Sequence, residues 1–179
     1  MPPKRHFETA PFYESIEVGM EEWAMGTAGQ IVETAGLGPC IGIAIHDEDS
    51  KIGHILHITV PEDDEHILND FLQSVANHTT DISKLCAWIR GGSLSGGKYD
   101  HLNISGIDTK DYEKQNRKYA KQALMEFGIP EGRIKEELSD IEEDTVHMAL
   151  NCSTGKCEII REPFEPDWAD ISPDELRYE

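Results

Sequence analysis

Three side chains in one short stretch have the types and the spacing of an acyl-transfer site: Thr34, Cys40 and His57. Cysteine attacks as a thiolate, and a free thiol with a pKa of about 8.5 is mostly protonated at neutral pH, so a base must sit beside it. His57 supplies that base. The Thr34 hydroxyl can hydrogen-bond the imidazole and fix its tautomer, which completes a set of nucleophile, base and orienter. The chemistry of such a set is hydrolysis of an amide or an ester through a thioester.

The elements that must position these groups are short and apolar. Cys40 follows a turn, Gly36-Leu-Gly-Pro39, and opens the run Ile41-Gly-Ile-Ala-Ile45, while His57 lies within Ile52-Gly-His-Ile-Leu-His-Ile-Thr-Val60. Both are rich in β-branched residues and bounded by turn formers, so they read as strands, joined by the polar hairpin loop 46–51. Antiparallel pairing places the start of the first strand across from the end of the second, so Cys40 is expected opposite His57. Gly36 and Gly38 keep the turn bare of side chains, so that a substrate can approach the Cys40 N–H, the natural oxyanion donor.

These motifs resemble a known family. Thr-x-Gly-Leu-Gly-x-Cys, a histidine seventeen positions after the cysteine, and Gly53-x-x-x-His57-x-x-x-Pro61 are similar to the chemoreceptor glutamine deamidases, CheD. The likeness continues through Cys86-Ala-Trp-Ile-Arg-Gly-Gly92, through Asn116 twelve residues before Gly128, and into the turn around Ser153-Thr-Gly-Lys156, spanning roughly residues 28 to 162. The resemblance implies a cysteine amide hydrolase that converts receptor glutamines to glutamates with release of ammonia, using Cys40, His57 and Thr34. It also implies a methyl-accepting chemotaxis receptor as protein substrate, a CheC-type phosphatase as partner, and a layered α/β/β/α sandwich. Pro39 replaces the usual serine and has no N–H to donate. Residues 139–146 do not carry the glycine-rich segment common in the family. A non-catalytic adaptor of the same fold and a thiol hydrolase of another amide or ester are the alternative functions.

Composition narrows the class. The 179 residues, 38% hydrophobic, suffice for one core without disulfides or metal, and no cofactor is implied. A formal net charge of -19 argues against nucleic acid or an anionic membrane surface as partner. No apolar stretch is long enough to insert in a membrane and the first residues lack a signal-peptide core, so a cytoplasmic protein is expected. Cys152 and Cys157 flank Ser-Thr-Gly-Lys and are expected to oppose one another as reduced thiols on a hairpin, with Cys86 in a buried strand. The run Gly92–Tyr99 nearly spells a phosphate-binding loop, but Tyr99 stands where serine or threonine belongs. His54 and His57, three apart on a strand, should face opposite ways, which argues against a shared metal.

Periodicity gives an α+β domain of mixed sheets with two long helices. One carries Ile67, Leu68, Phe71, Leu72 and Val75 on one face behind an acidic cap. The other runs from about 109 to 127 with Tyr112, Tyr119, Ala123, Leu124 and Phe127 inward and Gly128 as its stop. Asn116 on that helix is either an ordinary solvated residue or a support for the active-site turn. Segments 133–138, 145–151 and 157–161 read as a strand meander. Residues 1–27 form an N-terminal extension, 28–162 the deamidase-like domain, and 163–179 an acidic tail.

Overall fold

The computed structural model describes residues 13–38, 40–91, 109–136 and 144–163. Strands β1 (Glu14–Val18), β2 (Glu22–Gly26), β3 (Gln30–Leu37), β4 (Ile41–Asp47) and β5 (Ile52–Ile58) precede helix α1 (Glu65–His78) and strand β6 (Cys86–Gly91). Helix α2 (Thr109–Phe127) leads to β7 (Ile134–Glu136), β8 (Asp144–Asn151) and β9 (Lys156–Pro163). The strands form two mixed sheets, one ordered β1-β3-β8-β9 and the other β2-β5-β4-β6-β7. The fold is α+β, and no described helix is long and apolar enough to cross a membrane.

The alternation of side chains along β4 and β5 divides the interior in two. Ile41, Ile43, Ile45, Leu56 and Ile58 face the helices, where Leu68, Phe71, Leu72 and Val75 of α1 and Ala120 and Leu124 of α2 cover them. Each such side chain contributes about 1.5–3 kcal/mol when fully buried. The opposite faces of β4 and β5 present Cys40, Ala44 and Ile55 to Val32, Leu37, Val146, Met148 and Leu150 of the other sheet. The second core requires glycine where the sheets approach most closely. A Cβ on Gly42 would lie 2.7 Å from Leu37 Cδ1 and 2.6 Å from Met148 Cε.

Several expectations change. Both helices pack on the same sheet, so the described residues form three layers, α/β/β, and no second helical layer covers the four-stranded sheet among them. The meander is broken: β7 pairs in parallel with β6 in one sheet, whereas β8 and β9 pair antiparallel in the other. Cys157 lies opposite Leu150, not Cys152, because the turn after Asn151 has four residues rather than two. Cys152 is buried in that turn, Cys157 and Cys86 are half-buried, and all three are reduced. The N-terminus of α1 is Asp64, but its side chain makes no capping hydrogen bond. The N-terminal stretch supplies β1 and β2 from its described part, one to each sheet. Pro39, the phosphate-loop-like run, the side chain of Tyr112, most of segment 139–146 and the acidic tail lie outside the described residues.

Candidate active site

The site begins with a bulge in β3. Thr34 pairs with Met148 and Leu37 with Val146, so two residues, Ala35 and Gly36, oppose the single His147. The extra residue lets both Thr34 and Leu37, three apart, point into the space between the sheets. Gly36 takes a φ of +77°, a left-handed conformation that favours glycine. The Gly38 N–H then donates to the Gly36 carbonyl at 2.9 Å, tightening the turn that leads to Cys40.

Thr34 Oγ1 lies 2.8 Å from the Val18 carbonyl oxygen and 2.8 Å from His57 Nδ1. A carbonyl oxygen only accepts, so the single hydroxyl proton goes to Val18 and the hydroxyl must accept from Nδ1–H. The tautomer of His57 follows from this: Nδ1 is protonated and Nε2 carries the lone pair. Nε2 is buried and has no hydrogen-bond partner among the described residues. Burial holds the imidazole below its ordinary pKa, partly offset by the negative charge of Glu21. A neutral imidazole with a bare, directed lone pair is the form a general base requires.

The thiol precedes the neighbouring strand, β4. Ile41 pairs with Ile58 and Gly42 with His57, so Cys40, one residue before Ile41, faces Thr59 and is diagonal to His57. The expectation of Cys40 directly opposite His57 is corrected by this register. Cys40 Sγ makes a long contact to Thr59 Oγ1, 3.9 Å. Burial raises the thiol pKa and the charge of Glu21 adds to the effect, while the Thr59 contact and the Cys40 N–H oppose it. The resting pair is therefore a neutral thiol beside a neutral imidazole.

A cavity of about 290 Å³ opens onto Thr34 and His57, lined also by Glu17, Met20, Glu33 and His147. Cys40 does not line this cavity; it is 6% exposed and His57 4%. Behind the thiol, Gly91 has a φ of +83°, and a Cβ there would sit 2.1 Å from the Cys40 carbonyl oxygen. Arg117 of α2 holds the same glycine, donating from Nε to its carbonyl at 2.8 Å. Asn116, next to Arg117 in α2, is buried, with Nδ2 lacking a partner among the described residues, so the solvated alternative does not hold.

Sequence reasoning brought Thr34, Cys40 and His57 to one corner but missed Glu21, Thr59 and Gly91. Gly91 was visible as the end of a strand closing in Gly-Gly. Glu21 carried no signal, because nothing in the sequence says that the turn after β1 reaches the far end of β5.

No family model matches the chain. Among curated proteins the chain is similar to a probable chemoreceptor glutamine deamidase CheD of Pyrococcus horikoshii, 39% identical over 49 residues, which cover 27% of this chain and 30% of that protein. A relative of the same name from Moorella thermoacetica is 26% identical over 132 residues, 65% of this chain and 75% of its own length. Another from Haloarcula marismortui is 27% identical over 128 residues, 65% of this chain and 70% of its own length. The resemblance to the CheD family thus extends over about two thirds of the chain. The solved structure of Bacillus licheniformis hypothetical protein YfiH aligns with a TM-score of 0.43 and 16% identity over 62% of this chain and 47% of that one.

Proposed function

We propose that this chain is a chemoreceptor glutamine deamidase of the CheD type, a cytoplasmic hydrolase acting in chemotaxis, with Cys40 as nucleophile, His57 as general base and acid, and Thr34 as the residue that orients His57. The observation that carries this reading is the bare, buried Nε2 of His57, whose tautomer is set by Thr34 and the Val18 carbonyl. The names of the relatives support the substrate class, a glutamine side chain of a chemoreceptor, which we take to be a methyl-accepting receptor.

In the first half-reaction the thiol turns from Thr59 to His57 and gives its proton to Nε2. The thiolate attacks the carboxamide carbon, and the negative charge on the carbonyl oxygen is met by the Cys40 N–H. Collapse breaks the C–N bond as the imidazolium protonates the leaving nitrogen, giving a thioester and ammonia. Water then attacks the thioester carbon as Nε2 takes its proton. The C–S bond breaks, the glutamate side chain departs, and the proton returns to sulfur. Overall, one carboxamide and one water become one carboxylic acid and one ammonia. Gly36 and Gly38 keep the turn free of side chains, and Asn116 supports it from α2.

The test is incubation of the protein with receptor cytoplasmic fragments, scoring ammonia release and the amide-to-acid mass change at individual glutamines. Cys40→Ala and His57→Ala are expected to abolish both. Equal or faster turnover of small esters with no glutamine product points to another thiol hydrolase. Full chemotaxis in cells carrying Cys40→Ala points to an adaptor that binds a CheC-type phosphatase.

A further inference from the structure

The turn between β1 and β2 contributes a second hydrogen-bond chain to the same corner. Glu21 sits there with a φ of +60°, a left-handed conformation costly for a residue with a side chain. Its backbone N–H donates to the His57 carbonyl at 2.9 Å, which ties the turn to the strand of the imidazole. Its Oε1 accepts from the Thr59 N–H at 2.9 Å and, in a short contact, from the Thr59 hydroxyl.

A hydroxyl has one proton. With that proton committed to Glu21, Thr59 Oγ1 offers only lone pairs to Cys40 Sγ, 3.9 Å away, and the thiol must be the donor. We propose that Glu21 and Thr59 are positioning residues that hold resting Cys40 as a neutral thiol turned away from His57, so that the nucleophile is released only when the Sγ–Thr59 contact breaks. This rests on the reading of Cys40 as the nucleophile and adds its regulation.

The arrangement mirrors the His57 side of the site. There a carbonyl fixes Thr34 as an acceptor for Nδ1–H; here a carboxylate fixes Thr59 as an acceptor for S–H. Burial is the first cause of the raised thiol and the charge of Glu21 adds to it; the Thr59 contact lowers it only where the hydroxyl donates to sulfur, and here that proton is committed to Glu21. The charged and titratable groups around this corner are Glu21 on its turn, His57 on β5 and Asp64 at the start of α1. On the far side Arg90 is turned to the Ile89 and Lys135 carbonyls, and Arg117 to that of Gly91. Asp64 is held above the usual carboxylate range by burial and then by the charge of Glu21 and the hydrogen bond the two share when Asp64 is protonated. Glu21 Oε2 is buried and has no hydrogen-bond partner among the described residues.

The experiment is the rate of Cys40 alkylation by iodoacetamide against pH in the full chain, with the other three cysteines replaced by serine or alanine. Glu21→Gln keeps the size and the acceptor but removes the charge, and Glu21→Gly fits the left-handed backbone if glutamine does not fold. Either change is expected to move the alkylation midpoint down by about one pH unit and to raise the rate at neutral pH roughly tenfold. Thr59→Ser, which keeps the hydroxyl, is expected to titrate like the parent. A midpoint unmoved or raised in both Glu21 variants overturns the proposal. The same titration in a His57→Ala background separates it from the deamidase reading. The Glu21 shift persists there if the carboxylate acts on the thiol itself, whereas the deamidase reading fails on glutamine hydrolysis and not on titration.

Discussion

His54 and His57 occupy the same strand, three residues apart and almost equally buried, yet β5 gives them different surroundings. His54 faces α1, edge-on to Phe71 with ring centroids 6.2 Å apart and tilted against His78 at 5.9 Å. His57 faces the other sheet and meets the Thr34 hydroxyl. Burial, helped by His78, pushes the pKa of His54 down to about 4, so it is neutral at physiological pH. Both rings have a buried Nε2 without a partner among the described residues, but of the two it is His57 whose contacts dictate which nitrogen holds the proton. Burial makes a histidine neutral; a hydroxyl with a committed proton makes it directional.

That contrast can be broken most severely by exchanging the roles. His57→Ala is expected to lower glutamine deamidation by about 10³-fold or more, the range of a lost general base. His54→Leu is expected to leave kcat within about twofold, because the site on the other face of the sheet is untouched. Comparable losses in the two variants, measured as ammonia release, would erase the distinction.

Acid should distinguish them next. His54 binds a proton less readily folded than unfolded, so the unfolded chain takes up more protons between pH 6.5 and about 4. Stability is therefore complete above pH 6.5 and lost as pH falls towards 4, by roughly 3 kcal/mol for this one group. Urea unfolding at pH 7 and pH 4.5 reads the difference, and His54→Leu is expected to flatten it. An unchanged acid dependence in that variant would show that other groups carry it.

The smallest of these effects sharpens the comparison rather than breaking it. Thr34→Val removes the hydroxyl and leaves Nδ1 of His57 as undirected as that of His54. A fall of about 10- to 100-fold in kcat with little change in KM is expected, and Thr34→Ser should recover most of it. A kcat equal to that of the parent would deny Thr34 its orienting part.

Much of this was legible in the residues. The runs Ile41–Ile45 and Ile52–Val60 became β4 and β5, and the helix face of Leu68, Phe71, Leu72 and Val75 is buried as its spacing required. Local periodicity reports such elements because each buries a face of its own. Pairing is not local. Nothing in residues 14–26 announces that Val18 pairs in parallel with Thr34 while Glu22 pairs with His57 in the other sheet. The register of Cys40 was misjudged because the Gly-Leu-Gly-Pro turn obscures where β4 begins. The partner of Cys157 was misjudged because four residues, not two, make the last described turn.

The bridge made by β1 and β2 has a consequence for the order in which the molecule matures. These strands leave the ribosome before the other described strands, but β1 can dock only on β3 and β2 only on β5. Until both have done so, Val18 cannot direct Thr34 and Glu21 cannot reach Thr59. A nascent chain that has folded its central strands but not yet sewn on this seam would carry a cysteine and a histidine with no instructions. Competence for chemistry and restraint of the thiol would thus arrive together, once this seam is made.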